Sequence, residues 1–96
     1  MDFLVTAYDY TDKTALERRM QAREQHLANA KELYKSGNLI AAGAILSDTG
    51  KMIGSTLCMR FETEEELKKC LGSDAYTKEK VWETIEFKTI KLVQFD

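Results

Sequence analysis

The 96-residue sequence predicts an α+β domain in which a four-stranded antiparallel sheet carries two helices on one face. Three observations predict it. Four short apolar or alternating runs are interspersed with two stretches of helical character in the order β-α-β-β-α-β. The middle two strands are joined by Asp48-Thr49-Gly50-Lys51, a hairpin connection that makes them an antiparallel pair. Both helical stretches open on capping residues and run to a glycine, Gly37 or Gly72.

Phe3 to Tyr8 is apolar in both alternating sets, Phe3/Val5/Ala7 and Leu4/Thr6/Tyr8, so a strand covered on both faces is predicted. Asp9 to Thr14 supplies turn and capping residues, with Asp12 or Thr14 as N-cap and Glu17 completing a capping box if Thr14 is the cap. The helix that follows runs through Tyr34 and stops at Ser36-Gly37. Leu39 to Leu46 forms the second strand, where Ala41, Ala42, Gly43 and Ala44 leave room above the sheet. Gly54 to Phe61 forms the third, with Leu57/Met59/Phe61 opposing Thr56/Cys58/Arg60. Thr63-Glu64-Glu65-Glu66 is a capping box that opens a short helix, its glutamates forming a solvated first turn, and Gly72 closes it. Ser73-Asp74 gives a second capping signal, followed by a short helical segment ending near Val81-Trp82. In the last strand, Thr84 to Phe95, the phase slips between Ile85/Phe87, Ile90/Leu92 and Val93/Phe95. A bulge near Lys88-Thr89, or burial of both faces, accounts for the slip.

This order is the split βαβ, or ferredoxin-like, arrangement. Both helices lie on one face, so the other face of an already apolar strand one is left bare, and a homodimer packed sheet to sheet is expected. Residues 1–96 are read as a single domain. Lys+Arg 14 against Asp+Glu 16 gives a mildly acidic chain without a basic run, which argues against nucleic acid as a partner. The third strand also lacks the basic-glycine-aromatic pattern of RNA-binding sheets of this topology. No apolar run approaches the ~18 residues of a membrane span and no cleavable leader is evident, so a cytoplasmic protein is expected. Cys58 and Cys70 have neither CxxC spacing nor enough His partners for structural zinc; free thiols, no metal and no cofactor are predicted.

The candidate chemistry lies on the first helix. Leu16, Met20, Arg23, Leu27, Ala30 and Tyr34 share one face, so the periodicity places an arginine in the buried stripe, flanked by Arg19 and by His26, the single histidine. Imidazole is the usual general acid or base near neutral pH, and a structural or surface role for a lone histidine is equally open. Arg23 and Arg19 are suited to an anionic substrate group, and Arg23 equally to satisfying a buried carboxylate or to snorkelling past Leu27. Asp74 is the candidate partner for the imidazole, with an N-cap role as its alternative and Tyr76 nearby as a hydroxyl donor. Tyr8 and Asp9, at the end of strand one, fall within reach of the same region.

Three blocks carry a family resemblance: Arg23-Glu24-Gln25-His26-Leu27, Gly37-Asn38-Leu39-Ile40-Ala41-Ala42-Gly43, and Gly54-Ser55 with Ser73-Asp74-Ala75-Tyr76. Through them the chain resembles the YciI-like (YCII-related) proteins, small dimeric α/β-barrel proteins with a ferredoxin-like protomer. The resemblance implies that His26 and Asp74 form a catalytic pair, and Arg23, Arg19, Tyr76 and Ser55 are the candidate substrate-binding residues. Two positions depart from the family pattern: Ala75 stands where the family has proline in Asp-Pro-Tyr, and Glu24 where proline often follows the arginine. Without the ring constraint the loop at Asp74 is less pre-organised. The family includes a dehydrochlorinase acting on a chlorinated hydroxyquinol. The expected function is lyase- or isomerase-type proton transfer on a small anionic or enolisable substrate. The alternative is a non-catalytic dimeric module that binds a small ligand or assists a partner enzyme.

Overall fold

The computed structural model describes residues 1–95 and orders them as β1 (Asp2–Asp9), α1 (Ala15–Ser36), β2 (Leu39–Leu46), β3 (Met52–Arg60), α2 (Glu64–Ser73), α3 (Ala75–Lys78) and β4 (Trp82–Ile90). The strands form one antiparallel sheet in the order β2-β3-β1-β4, the ferredoxin-like topology. Strand alternation on β1 sends Phe3, Val5 and Ala7 into the core, each with no exposed surface, while Leu4 and Tyr8 stand exposed on the opposite face. The core is completed by Leu39, Leu57, Met59, Leu67, Leu71, Tyr76, Val81 and Trp82. Side chains as fully buried as Phe3, Val5 and Leu67 stabilise the fold by about 1.5–3 kcal/mol each.

Several local expectations are corrected. The buried line of α1 is Ala15, Arg19, Ala22 and His26, with Ala30 and Leu33 partly covered. Leu16, Met20, Arg23, Leu27 and Tyr34 are exposed, so the helix is turned about one residue from the face that hydrophobicity selects. The reason is local compensation: small alanines let α1 approach the sheet, and the two polar residues it buries find carboxylate partners in Asp9 at the end of β1 and Asp74 between α2 and α3. Thr14 is the N-cap but makes no side-chain cap bond; its hydroxyl and Asp12 are committed to Arg18, so no box forms with Glu17. Helix α1 does end at Gly37, whose φ of 86° is the left-handed conformation that glycine adopts without strain. Helix α2 runs past Gly72 to Ser73, and the segment after it shrinks to the single turn of α3.

The last strand also differs. β4 pairs with β1 without interruption from Thr84 to Ile90, so no bulge occurs at Lys88-Thr89, and residues 91–95 lie beyond the strand. The register shift sits at the other end, between Tyr8 and Asp9: Tyr8 opposes Thr84, but Asp9 opposes Trp82. Skipping Glu83 turns Trp82 inward, the re-aiming for which bulges are used. A second shift, between Leu39 and Ala41 on β2, sets Ala42 opposite buried Leu57 and Ala44 opposite buried Ser55. Two small side chains of β2, Ala42 and Ala44, therefore face the helix side.

Two surface ion pairs carry a pH dependence. Arg60 Nε donates to Asp2 at 2.7 Å, and the Arg18 guanidinium forks onto both oxygens of Asp12 at 2.7 and 2.8 Å. These arginines hold both carboxyls below the ordinary carboxylate value. A carboxyl lowered by folding contributes stability above its unfolded pKa of about 3.9, and that contribution is lost as pH falls through the folded value. Urea midpoints are therefore expected to drop on acidification below about pH 4, with a shallower drop in Asp12→Asn; identical profiles would contradict this reading.

Candidate active site

Beneath α1, two carboxylates meet the two buried polar side chains of the helix. His26 Nδ1 lies 2.8 Å from Asp74 Oδ1, with both side chains about 10% exposed. Asp74 is also the N-cap of α3, and the same Oδ1 accepts the backbone N–H of Tyr76 at 2.9 Å. The capping and imidazole-binding roles considered for Asp74 are thus filled together, and the cap fixes the carboxylate without proline at position 75. With Nδ1 engaged by an ionised carboxylate, the neutral ring carries its proton there and leaves Nε2 as the acceptor nitrogen.

The imidazole is held in plane as well as in tautomer. The Tyr76 ring stacks on it at 3.8 Å between centroids and 8° between planes, and Trp82 meets both rings edge-on at 5.7 and 5.5 Å. Tyr76 is also in cation–π contact with Arg19, whose Cζ lies 4.8 Å from the ring centroid. Burial pushes the Tyr76 phenol above its ordinary value and does the same to the Cys70 thiol, where Asp74 adds to the effect.

Arg19 is the hub of the second cluster. Nη1 donates to both oxygens of Asp9 at 2.8 and 2.9 Å, while Nη2 donates to Gly54 O and to Ser55 Oγ, each at 3.0 Å. Its Nε, buried as well, has no acceptor among the described residues. Burial pushes the Asp9 carboxyl up and Arg19 pulls it back. Asp9 therefore acts in the opposite sense to Asp2 and Asp12: its share of stability declines as pH rises through its folded pKa. Ser55 Oγ also accepts from Trp82 Nε1 at 3.1 Å.

These groups wall a cleft of about 220 Å³ between α1 and the inner face of β2 and β3. Arg19, Arg23, His26, Ser55 and Tyr76 all line it, with Ala42 and Ala44 across from the helix providing the space. Asp74 stands behind the histidine. Arg23 differs from Arg19 in being exposed, and it forms no ion pair among the described residues. The sequence does not mark Trp82 as a site residue, because its segment reads as the end of a helix. The signal was available in principle, since a buried indole N–H requires an acceptor. Asp9 was placed in the neighbourhood, but its partner was not legible.

Gly54 is confined as well as central. A Cβ there would come within 2.5 Å of the Ala7 carbonyl oxygen, which belongs to backbone and cannot swing aside. Gly54→Ala is expected to cost about 1–3 kcal/mol, read as a lowered thermal midpoint. A variant melting like wild type would show that β1 and β3 separate more readily than their pairing implies.

Fold and cleft together define a small ferredoxin-like protein with a buried carboxylate–imidazole pair beside a cleft of about 220 Å³. The chain belongs to the YCII-related domain family, which matches residues 1–91. It is 31% identical to protein YciI of Escherichia coli O6:H1 over 99 residues, covering 97% of this chain and 99% of that relative. Among solved structures it resembles the 5-chloro-2-hydroxyhydroquinone dehydrochlorinase of Burkholderia phenoliruptrix, determined with 2,5-dihydroxybenzoquinone. That likeness has a TM-score of 0.82 and 25% identity, covering 95% of this chain and 94% of the other. A dimeric ferredoxin-like protein from an uncultured marine organism shares the fold alone, with a TM-score of 0.52 at 13% identity and full coverage of this chain against 99% of its own. No helix among the described residues is long and apolar enough to cross a membrane.

Proposed function

We propose that the protein is a small enzyme that moves a proton on a small anionic or enolisable substrate, with His26 as the base and Asp74 as the group that orients it. The observation that carries this reading is the 2.8 Å contact between His26 Nδ1 and Asp74 Oδ1, with His26 lining the cleft. Nε2 takes a proton from a substrate C–H or O–H, Asp74 stabilises the imidazolium that forms, and the proton returns to another atom of the substrate or departs with a leaving group. No oxidant or reductant is needed, which fits a lyase or isomerase.

Arg23, exposed at the wall of the cleft, is the group that binds the substrate's negative charge. Arg19 serves less as a free anion binder, because four of its five N–H donors are spent on Asp9, Gly54 and Ser55. Tyr76 contributes its ring face to the imidazole. A dehydrochlorinase among the structural relatives supports hydroxylated aromatic rings as one substrate class to examine first. The exposed Leu4 and Tyr8 of the sheet's open face support a homodimer joined there, and the two free cysteines suit a reducing cytoplasm.

The test is exchange of substrate protons with D₂O, followed by NMR, over a panel of hydroquinones and small enolisable acids. The reading expects exchange by the wild-type protein and its loss in His26→Gln. A folded His26→Gln variant exchanging at the wild-type rate would remove the dyad.

A further inference from the structure

The cleft that His26 lines has a neighbour. A second cavity of about 460 Å³ lies at the end of the sheet where α1 begins, with Tyr10, Leu16, Met52 and Ile53 in its walls. Two observations put the spaces in series. Met52 lines both of them, and Asp9 lines the outer one while its partner Arg19, 2.8 Å away, lines the inner. Both walls also run in the same direction: on α1 from Leu16 outside to Leu27 and Ala30 inside, on β3 from Ile53 outside to Leu57 inside. Leu16 to Ala30 is about 21 Å of helix at ~1.5 Å per residue, more than one ring occupies.

Met52 faces this groove because of a register shift. Ile45 opposes Gly54 but Leu46 opposes Met52, so Ile53 is skipped and Met52 turns to the helix side; regular alternation would leave it on the open face with Gly54. Arg19 is pinned by its four hydrogen bonds, whereas Met52 is unbranched and can yield, so it is the movable part of the partition. The groove also accounts for part of the apolar line that α1 leaves exposed. Leu16 lines the outer cavity and Leu27 the inner, with Met20 between them on the same flank. The charges at the outer cavity are of both signs: Lys13 and Lys51 stand with Glu83, and Asp12 is held by Arg18.

We infer that the groove binds a substrate of two parts, an enolisable head at His26 and an uncharged alkyl tail that passes Met52 into the outer cavity. The inference rests on the proton-transfer reading for the head and adds the tail. Apolar side chains along the groove, and no cluster of one charge at its end, match a hydrocarbon substituent better than a second ionised group.

The test is NMR titration with phenol, 4-ethylphenol, 4-butylphenol and 4-hexylphenol. Affinity for the wild-type protein is expected to rise about two- to fourfold with each methylene added. The methyl resonances of Ile53 should move with the longer members, and those of Leu4, on the opposite face of the sheet, should not. Met52→Trp fills the junction and Leu16→Glu puts a charge in the outer cavity. Each is expected to lower the ratio of hexylphenol to phenol affinity by about tenfold or more; Met52→Phe replaces the tryptophan variant if that does not fold. Affinity independent of chain length, binding of no member, an unchanged ratio in both variants, or movement of Leu4 in place of Ile53 would overturn the inference. So would tighter binding of 6-(4-hydroxyphenyl)hexanoate than of 4-hexylphenol, which would give the outer cavity to an anionic tail on Lys13 and Lys51. His26→Gln is expected to keep the chain-length dependence while losing proton exchange, so the two readings fail in different measurements.

Discussion

Replacing His26 with glutamine is expected to slow substrate proton exchange by about 10²–10⁴-fold, the range over which a positioned general base contributes. Glutamine is close to imidazole in reach and can still donate to Asp74, so the fold and the cleft wall should persist. Its amide cannot take up a proton at neutral pH, which isolates the chemistry from the packing. Asp74→Asn should produce a smaller loss, because the ring remains stacked on Tyr76 and bracketed by Trp82. Two rates that fall together, with Asp74→Asn as damaging as His26→Gln, would instead show that the imidazole works only in the tautomer that the carboxylate fixes, since asparagine caps α3 as well as aspartate does. Circular dichroism on both variants checks that neither loss comes from unfolding.

Asp9→Ala is expected to be strongly destabilising, lowering the free energy of unfolding by about 3–5 kcal/mol. It leaves the Arg19 guanidinium buried at 3% exposure with its carboxylate gone. Urea denaturation measures the loss. The double variant Asp9→Leu with Arg19→Met should recover much of it, since apolar replacement of a whole buried ion pair is often neutral or stabilising. A single variant as stable as wild type would mean that water enters to solvate Arg19. Recovery of stability without recovery of activity would identify the pair as a device for the site, holding Ser55 and the Tyr76 ring.

The strand and helix order was legible because it rests on local signals: β-branched runs, the Asp48 to Lys51 turn and the αL stop at Gly37. Residue chemistry makes Asp74 a candidate partner for His26, and the family resemblance selects that pairing. What sequence did not reveal was rotational phase. Leu16, Met20, Leu27 and Tyr34 form the greasiest line of α1, yet Arg19 and His26 face the sheet because their partners, Asp9 and Asp74, are 10 and 48 residues away. A periodicity argument scores each residue by its own hydropathy and cannot see a compensating charge brought in by topology. The inward turn of Trp82 escaped for a related reason, since a one-residue slip in pairing exchanges the two faces of a strand and leaves no compositional trace.

The skipped Glu83 has a consequence for how this chain can vary. Connections between secondary-structure elements ordinarily absorb insertions and deletions with little penalty. Here the number of residues between α3 and the regular part of β4 determines which side chain lies opposite Asp9. Pairing that ran on without the skip would place Glu83 rather than Trp82 opposite Asp9 and present a different group to Ser55, even with every amino acid of the cleft wall retained. For this segment, chain length is as much a part of the site as residue identity, and alignments of relatives are informative there only when gaps are weighed alongside substitutions.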